Sequence, residues 1–209
     1  MTSTMPSEAT AMQTIAHSAD AYFHVRVLIG LVTGLGLARL LTGLARFVQH
    51  PSRAQIYPPH LVWVIFMLIY IIHFWWFEFG LSIINVWEFE NYSFVMLYAA
   101  LLFFITTLLF PDQMGDYSGF AEYFMSRKHW FYSLLAVVFI IDILDTLMKG
   151  QQYFFALGAW YPIKQIGFGL LCGAVMLTNN ARMHTGFGLI AIFAELWWIA
   201  SKFRFLDVS

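Results

Sequence analysis

Residues 129–149 read HWFYSLLAVVFIIDILDTLMK. At 1.5 Å per residue a helix of this length covers about 31 Å, against a hydrocarbon core of roughly 30 Å. The run is therefore a membrane crossing by length and by composition. Yet Asp142 and Asp145 sit three residues apart inside it. A charge at the bilayer centre costs roughly 2.5–3.5 kcal/mol on insertion scales. The fold and the function both turn on what meets those two carboxylates.

The rest of the chain agrees with a membrane setting. Hydrophobic residues make up 60% of the 209 residues and charged residues only 11%, whereas soluble domains carry about 25% charged residues. Six apolar stretches are long enough to cross, at about 22–48, 60–86, 92–110, 129–149, 157–178 and 185–205. The expected fold is an all-α, polytopic bundle of six transmembrane helices over 22–205. Residues 1–21 form a polar lead, either disordered or an interfacial helix, and 206–209 form a short tail. The lead has no Lys or Arg, unlike a secretory signal peptide, so the first span is expected to serve as an uncleaved signal. The stretch 111–128 is the longest expected loop and the one with room for an interfacial helix.

Six spans put both termini on one side of a membrane such as a bacterial inner membrane. The Lys and Arg residues near the span ends divide five to four. Arg46, Arg53, Arg127, Lys128 and Arg182 face Arg26, Lys149, Lys202 and Arg204. That count favours non-cytoplasmic termini. The net charge of −1 excludes the basic stripe that nucleic acid requires. The single cysteine, Cys172, excludes an intramolecular disulfide and a cysteine-built zinc site; its expected role is packing.

The charges inside the spans share one half of the bilayer. Odd spans begin, and even spans end, on the same side. Arg26 opens span one, Glu78 lies late in span two, and Asp142 and Asp145 lie late in span four. Lys164 lies early in span five, and Glu195 lies in span six. A buried polar cluster in one leaflet follows. Asp142, Asp145 and Lys149, at i, i+3 and i+7, share a helix face, as do Glu78, Ser82 and Asn85.

Each residue has a functional and a structural reading. Asp142 and Asp145 form a proton relay or cation site, or else pair with Lys164, Arg26 or Lys149. Glu195 is a proton or cation carrier, or else pairs with Lys164 or Arg39. Glu78, within HFWWFEFG, is a further candidate site residue or an interfacial anchor. His73 is a ligand or proton carrier, or a hydrogen-bonded core residue. Pro162 either breaks span five beside Lys164 or starts its helix. Gly30 and Gly34 form a GxxxG pair in a packing helix, and Gly36, Arg39, Gly43 and Arg46 form an adjacent face.

No HxxxH, HExxH or ExxH spacing occurs, which disfavours the usual membrane di-iron and zinc enzymes. A haem would need a second histidine at the depth of His73, and the others read as interfacial. No cofactor is expected. The leading expectation is a small transporter or channel for ions or protons. The second is a non-transporting assembly or sensor subunit, and the third is a membrane enzyme or cofactor protein acting on lipid or quinone. The expected partners are the lipid bilayer and a second copy or another membrane protein.

Overall fold

The structure is a computed structural model that describes residues 8–49, 56–84 and 86–202, with side chains from residue 20 onward. The described residues form seven α-helices, one 3-10 segment and no strand. In chain order these are α1 (Glu8–Gln49), α2 (Pro58–Phe77), the 3-10 segment Glu78–Ile83, α3 (Phe89–Leu109), α4 (Phe120–Met148), α5 (Gln151–Ala156), α6 (Trp160–Val175) and α7 (Ala181–Lys202). Five segments are long and apolar enough to cross a membrane: Asp20–Gln49, Pro58–Ile83, Phe89–Leu109, Phe120–Met148 and Ala181–Lys202. Mid-helix apolar side chains point outward, among them Leu35, Leu97, Ile140, Leu170 and Phe193. An apolar outside with ionisable groups inside is the architecture of an integral membrane protein.

The fifth expected span, 157–178, differs in form. Its helix α6 has 16 residues, about 24 Å, which is short of the roughly 30 Å core. Gly150 and Gly158, both at positive φ, turn the chain on either side of the six-residue α5. Positive φ is the region that glycine enters without a Cβ clash. Pro162 falls in the first turn of α6, where an N–H has no helical partner to lose. α6 runs along α4 from the level of Asp142, which Tyr161 touches, to the level of Lys128, which donates to the Thr178 carbonyl.

Other boundaries also moved. α1 begins at Glu8, so the polar lead from that residue on is drawn into the first spanning helix. α4 begins at Phe120, leaving a loop of about ten residues. Its first turns are amphipathic. Phe120, Tyr123 and Phe124 are buried while Glu122 and Arg127 are exposed, and Phe120 stacks on His60 with ring centroids 4.6 Å apart. α2 tightens to 3-10 at Glu78. Residues i and i+3 then eclipse, so Glu78 and Leu81 are buried together while Ser82 is exposed. The α-helical stripe expected through Glu78 and Ser82 therefore does not form, and Asn85 lies outside the described residues. His50, Arg53, Arg204 and the tail 206–209 also lie outside them.

α1 lies against α3 and α2, α2 against α7, and α4 against α3 and α6. Near the start of α2, Trp63 is fully buried and meets the rings of Phe66, Phe131, Tyr132 and Phe187 edge-on, at 5.2–5.4 Å between centroids. This aromatic layer fills one half of the bundle. In α1 the closest approach is at Gly43; of the GxxxG pair, a Cβ at Gly30 would lie 3.4 Å from Trp75 while one at Gly34 would meet nothing within 4 Å. A Cβ at Gly43 would lie 2.3 Å from the Phe110 ring, and Phe47, His60 and Phe120 hem that ring in. Gly43→Ala is expected to destabilise the protein by about 1–2 kcal/mol, since overpacking exceeds the helix-propensity gain of about 1 kcal/mol. A thermal unfolding comparison in detergent checks this; an unchanged or higher midpoint would contradict the packing.

Candidate functional site

The other half of the bundle holds ionisable groups in three connected contacts. The first closes the end of α4. Asp145 and Lys149 are four residues apart and stack on one helix face. Lys149 Nζ lies 2.5 Å from Asp145 Oδ2 and 3.1 Å from Glu78 Oε1. All three side chains are 0–1% exposed. The ammonium also lies 3.7 Å from the centroid of the Phe77 ring. Tyr153 of α5 covers this triad. Its hydroxyl oxygen would lie 3.0 Å from a Cβ on Gly80, and Lys149 Cδ 3.3 Å from it. The bare backbone at Gly80 lets α5 lie this close.

The second contact surrounds Asp142, one turn deeper on α4. Its carboxylate accepts from three neutral donors on two helices. Tyr98 on α3 donates to Oδ1 at 3.0 Å. Tyr161 on α6 donates to Oδ2 at 2.7 Å, and so does the Gln165 amide one turn on. The hydroxyls of Tyr70 and Tyr98 lie 3.0 Å apart and extend the chain of hydrogen bonds to α2. No cation is within ion-pair distance of Asp142 among the described residues.

The third contact is centred on Glu195 of α7. Its Oε1 lies 2.6 Å from His73 Nδ1 and its Oε2 3.1 Å from Lys164 Nζ. His73 lies five residues before Glu78 on α2, hence about 7.5 Å further from the end of that helix. Asp142, Tyr161, Lys164, Gln165, Glu195 and His73 all line one cavity of about 10 Å³, the scale of a single water.

The expected site residues thus fall in two places. Glu78, Asp142, Asp145, Lys164, Glu195 and His73 come together between α2, α4, α6 and α7. Arg26 and Arg39, expected as charge partners, make no ion pair with these acids. The Arg26 guanidinium lies 3.6 Å from the centroid of the Phe79 ring and 4.7 Å from that of Trp75, a cation–π setting. Arg39 turns toward the opposite end, donating to the Phe110 carbonyl at 2.7 Å and to the Asp112 carboxylate. Arg39 sits thirteen residues into an apolar run, but its long stem reaches that loop.

Lys149, expected on the face of Asp145 and as one of its possible partners, is the cation that meets it. Tyr98, Tyr161 and Gln165 carry no site signal in the sequence reading. Tyr161 and Gln165 do share an i, i+4 spacing, but nothing marks Tyr98 among the 10 tyrosines. Among the described residues, no group of three or more His, Cys, Asp or Glu side chains is placed to hold a metal ion. No family model, curated protein or solved structure matches the chain.

Proposed function

We propose that this chain is a small multi-pass membrane protein that binds protons in its core and moves them, as a proton transporter or channel. One observation carries this reading. Among the described residues, four buried carboxylates, Glu78, Asp142, Asp145 and Glu195, are contacted by two ammonium groups, Lys149 and Lys164, and one imidazole, His73. Even with the imidazole charged, acids outnumber the cations that touch them. An uncompensated charge in hydrocarbon is expensive, and proton binding is the direct way to remove it.

The moved species is read as a proton because the cavity is about 10 Å³. Protons pass along hydrogen-bonded groups and single waters, whereas a hydrated ion needs an open passage. The groups line up from Lys149 at the end of α4, through Asp142 and Tyr161, to Glu195 and His73 deeper in the bundle. Beyond them the Trp63 layer closes the path, so transfer across the membrane requires that layer to rearrange. The charges face inward, which favours this reading over a subunit whose exposed charges await a partner. In this reading α6 is the fifth of six crossings, thinned where α5 folds back. Both termini then share one side, the non-cytoplasmic one by the Lys and Arg count.

Purified protein in liposomes with a pH-sensitive dye inside provides the test. The wild type is expected to dissipate an imposed pH gradient. Asp142→Asn and Glu195→Gln, folded and equally incorporated, are expected to slow this by roughly tenfold or more, as loss of a relay group does. A wild type that carries no protons, with variants that lose only thermal stability, would make the carboxylates structural.

A further inference from the structure

We infer that Glu78 and Asp145 share one bound proton, held between them with Lys149 as the fixed counter-charge. The inference rests on the proton-binding core proposed above and names the groups that carry its resident proton. Three features of the triad lead to it.

The first is charge. Two carboxylates face one ammonium, and all three side chains are 0–1% exposed. With Lys149 charged, the group is neutral only when one carboxylate is protonated. The second is hydrogen bonding. Lys149 engages one oxygen of each acid, Glu78 Oε1 and Asp145 Oδ2. The other oxygens, Glu78 Oε2 and Asp145 Oδ1, are buried with no hydrogen-bond partner. A bare buried carboxylate oxygen is among the costliest groups to leave unmet. A single proton bound by either acid removes the surplus charge and turns one bare carboxylate oxygen into a hydroxyl. The third is contrast. Asp142 accepts three hydrogen bonds from neutral donors, and Glu195 is matched by Lys164 and His73. Those two acids have what a carboxylate needs; Glu78 and Asp145 together lack one proton.

The neighbours of the pair are compatible with this. Tyr22 and Arg26 approach from α1, Tyr98 from α3, Asp142 from the turn below on α4, Tyr153 from α5 and Tyr161 from α6. The only further full charges among them are those of Asp142 and Arg26, and Arg26 lies against the Phe79 ring without an ion pair to either acid.

Infrared difference spectroscopy of the full chain in lipid tests the inference through the carbonyl stretch of a protonated carboxyl group. The wild type is expected to show that band at neutral pH, shifted in heavy water. Glu78→Gln and Asp145→Asn are each expected to abolish it, since the remaining acid pairs with Lys149 as an ion. Asp142→Asn is expected to keep it. A wild type without the band, or a band that survives both triad substitutions, would overturn the shared proton. A band that behaves as expected in a protein that carries no proton flux would refute transport and leave the shared proton standing. Flux without the band would do the reverse.

Discussion

Lys149→Met is expected to destabilise the protein by about 3–5 kcal/mol, the usual loss when one partner of a buried ion pair is removed. The substitution keeps the length and apolar stem of the side chain but leaves Glu78 and Asp145 facing each other without a cation. The ammonium is 2.5 Å from one acid and 3.1 Å from the other, with no exposed surface, so water cannot replace it. The same reasoning gives a compensating result. The triple variant Glu78→Gln, Asp145→Asn, Lys149→Met removes every charge from the triad and is expected to recover most of the loss, because a buried ionic group adds little over neutral groups of similar shape. Unfolding in mixed micelles checks both. A Lys149→Met loss below about 1 kcal/mol would place the triad among solvent-exposed pairs.

Trp63→Ala is expected to act on stability and on function in opposite senses. Removing a fully buried indole costs about 3–5 kcal/mol through lost contacts and the cavity left behind. Trp63 touches four aromatic rings from α2, α4 and α7, so the void opens at the layer that separates the ionisable half of the bundle from the other surface. The folded fraction is therefore expected to leak protons faster than the wild type. Liposome flux per folded molecule is the readout. A flux no higher than wild type would mean that the layer is not the barrier.

The sequence made some of this legible and hid the rest for physical reasons. Long apolar runs identify spanning helices because hydrocarbon tolerates little else, and five helices long and apolar enough to cross are present among the described residues. α6 is harder to read, because composition alone carries the span over 157–178, whereas the helix starts only after the turn at Gly158 and runs from Trp160 to Val175. The start of α4 was misplaced because Glu122, Arg127 and Lys128 end the apolar run, while helical amphipathicity continues through Phe120 and Phe124.

For the candidate site, the direction of each span suffices to gather Glu78, Asp142, Asp145, Lys164 and Glu195 in one half of the bundle, where they lie at successive levels. It does not say which charge meets which. Arg26 shares that half with the acids, but aromatic faces hold it. Arg39 depended on the reach of its side chain. Neutral donors such as Tyr98 and Gln165 leave no charge signature in an apolar run, so they appear only once the helices are packed.

The identity of the moved species is the most direct test of the proposed function. Liposomes holding the wild type would be given an inside-negative potential and the internal pH followed, first without sodium and then with sodium on both sides. Acidification of the interior that is equal in the two conditions is expected for a proton path through Asp142 and Glu195. Acidification that requires sodium, or none under either condition, would contradict it.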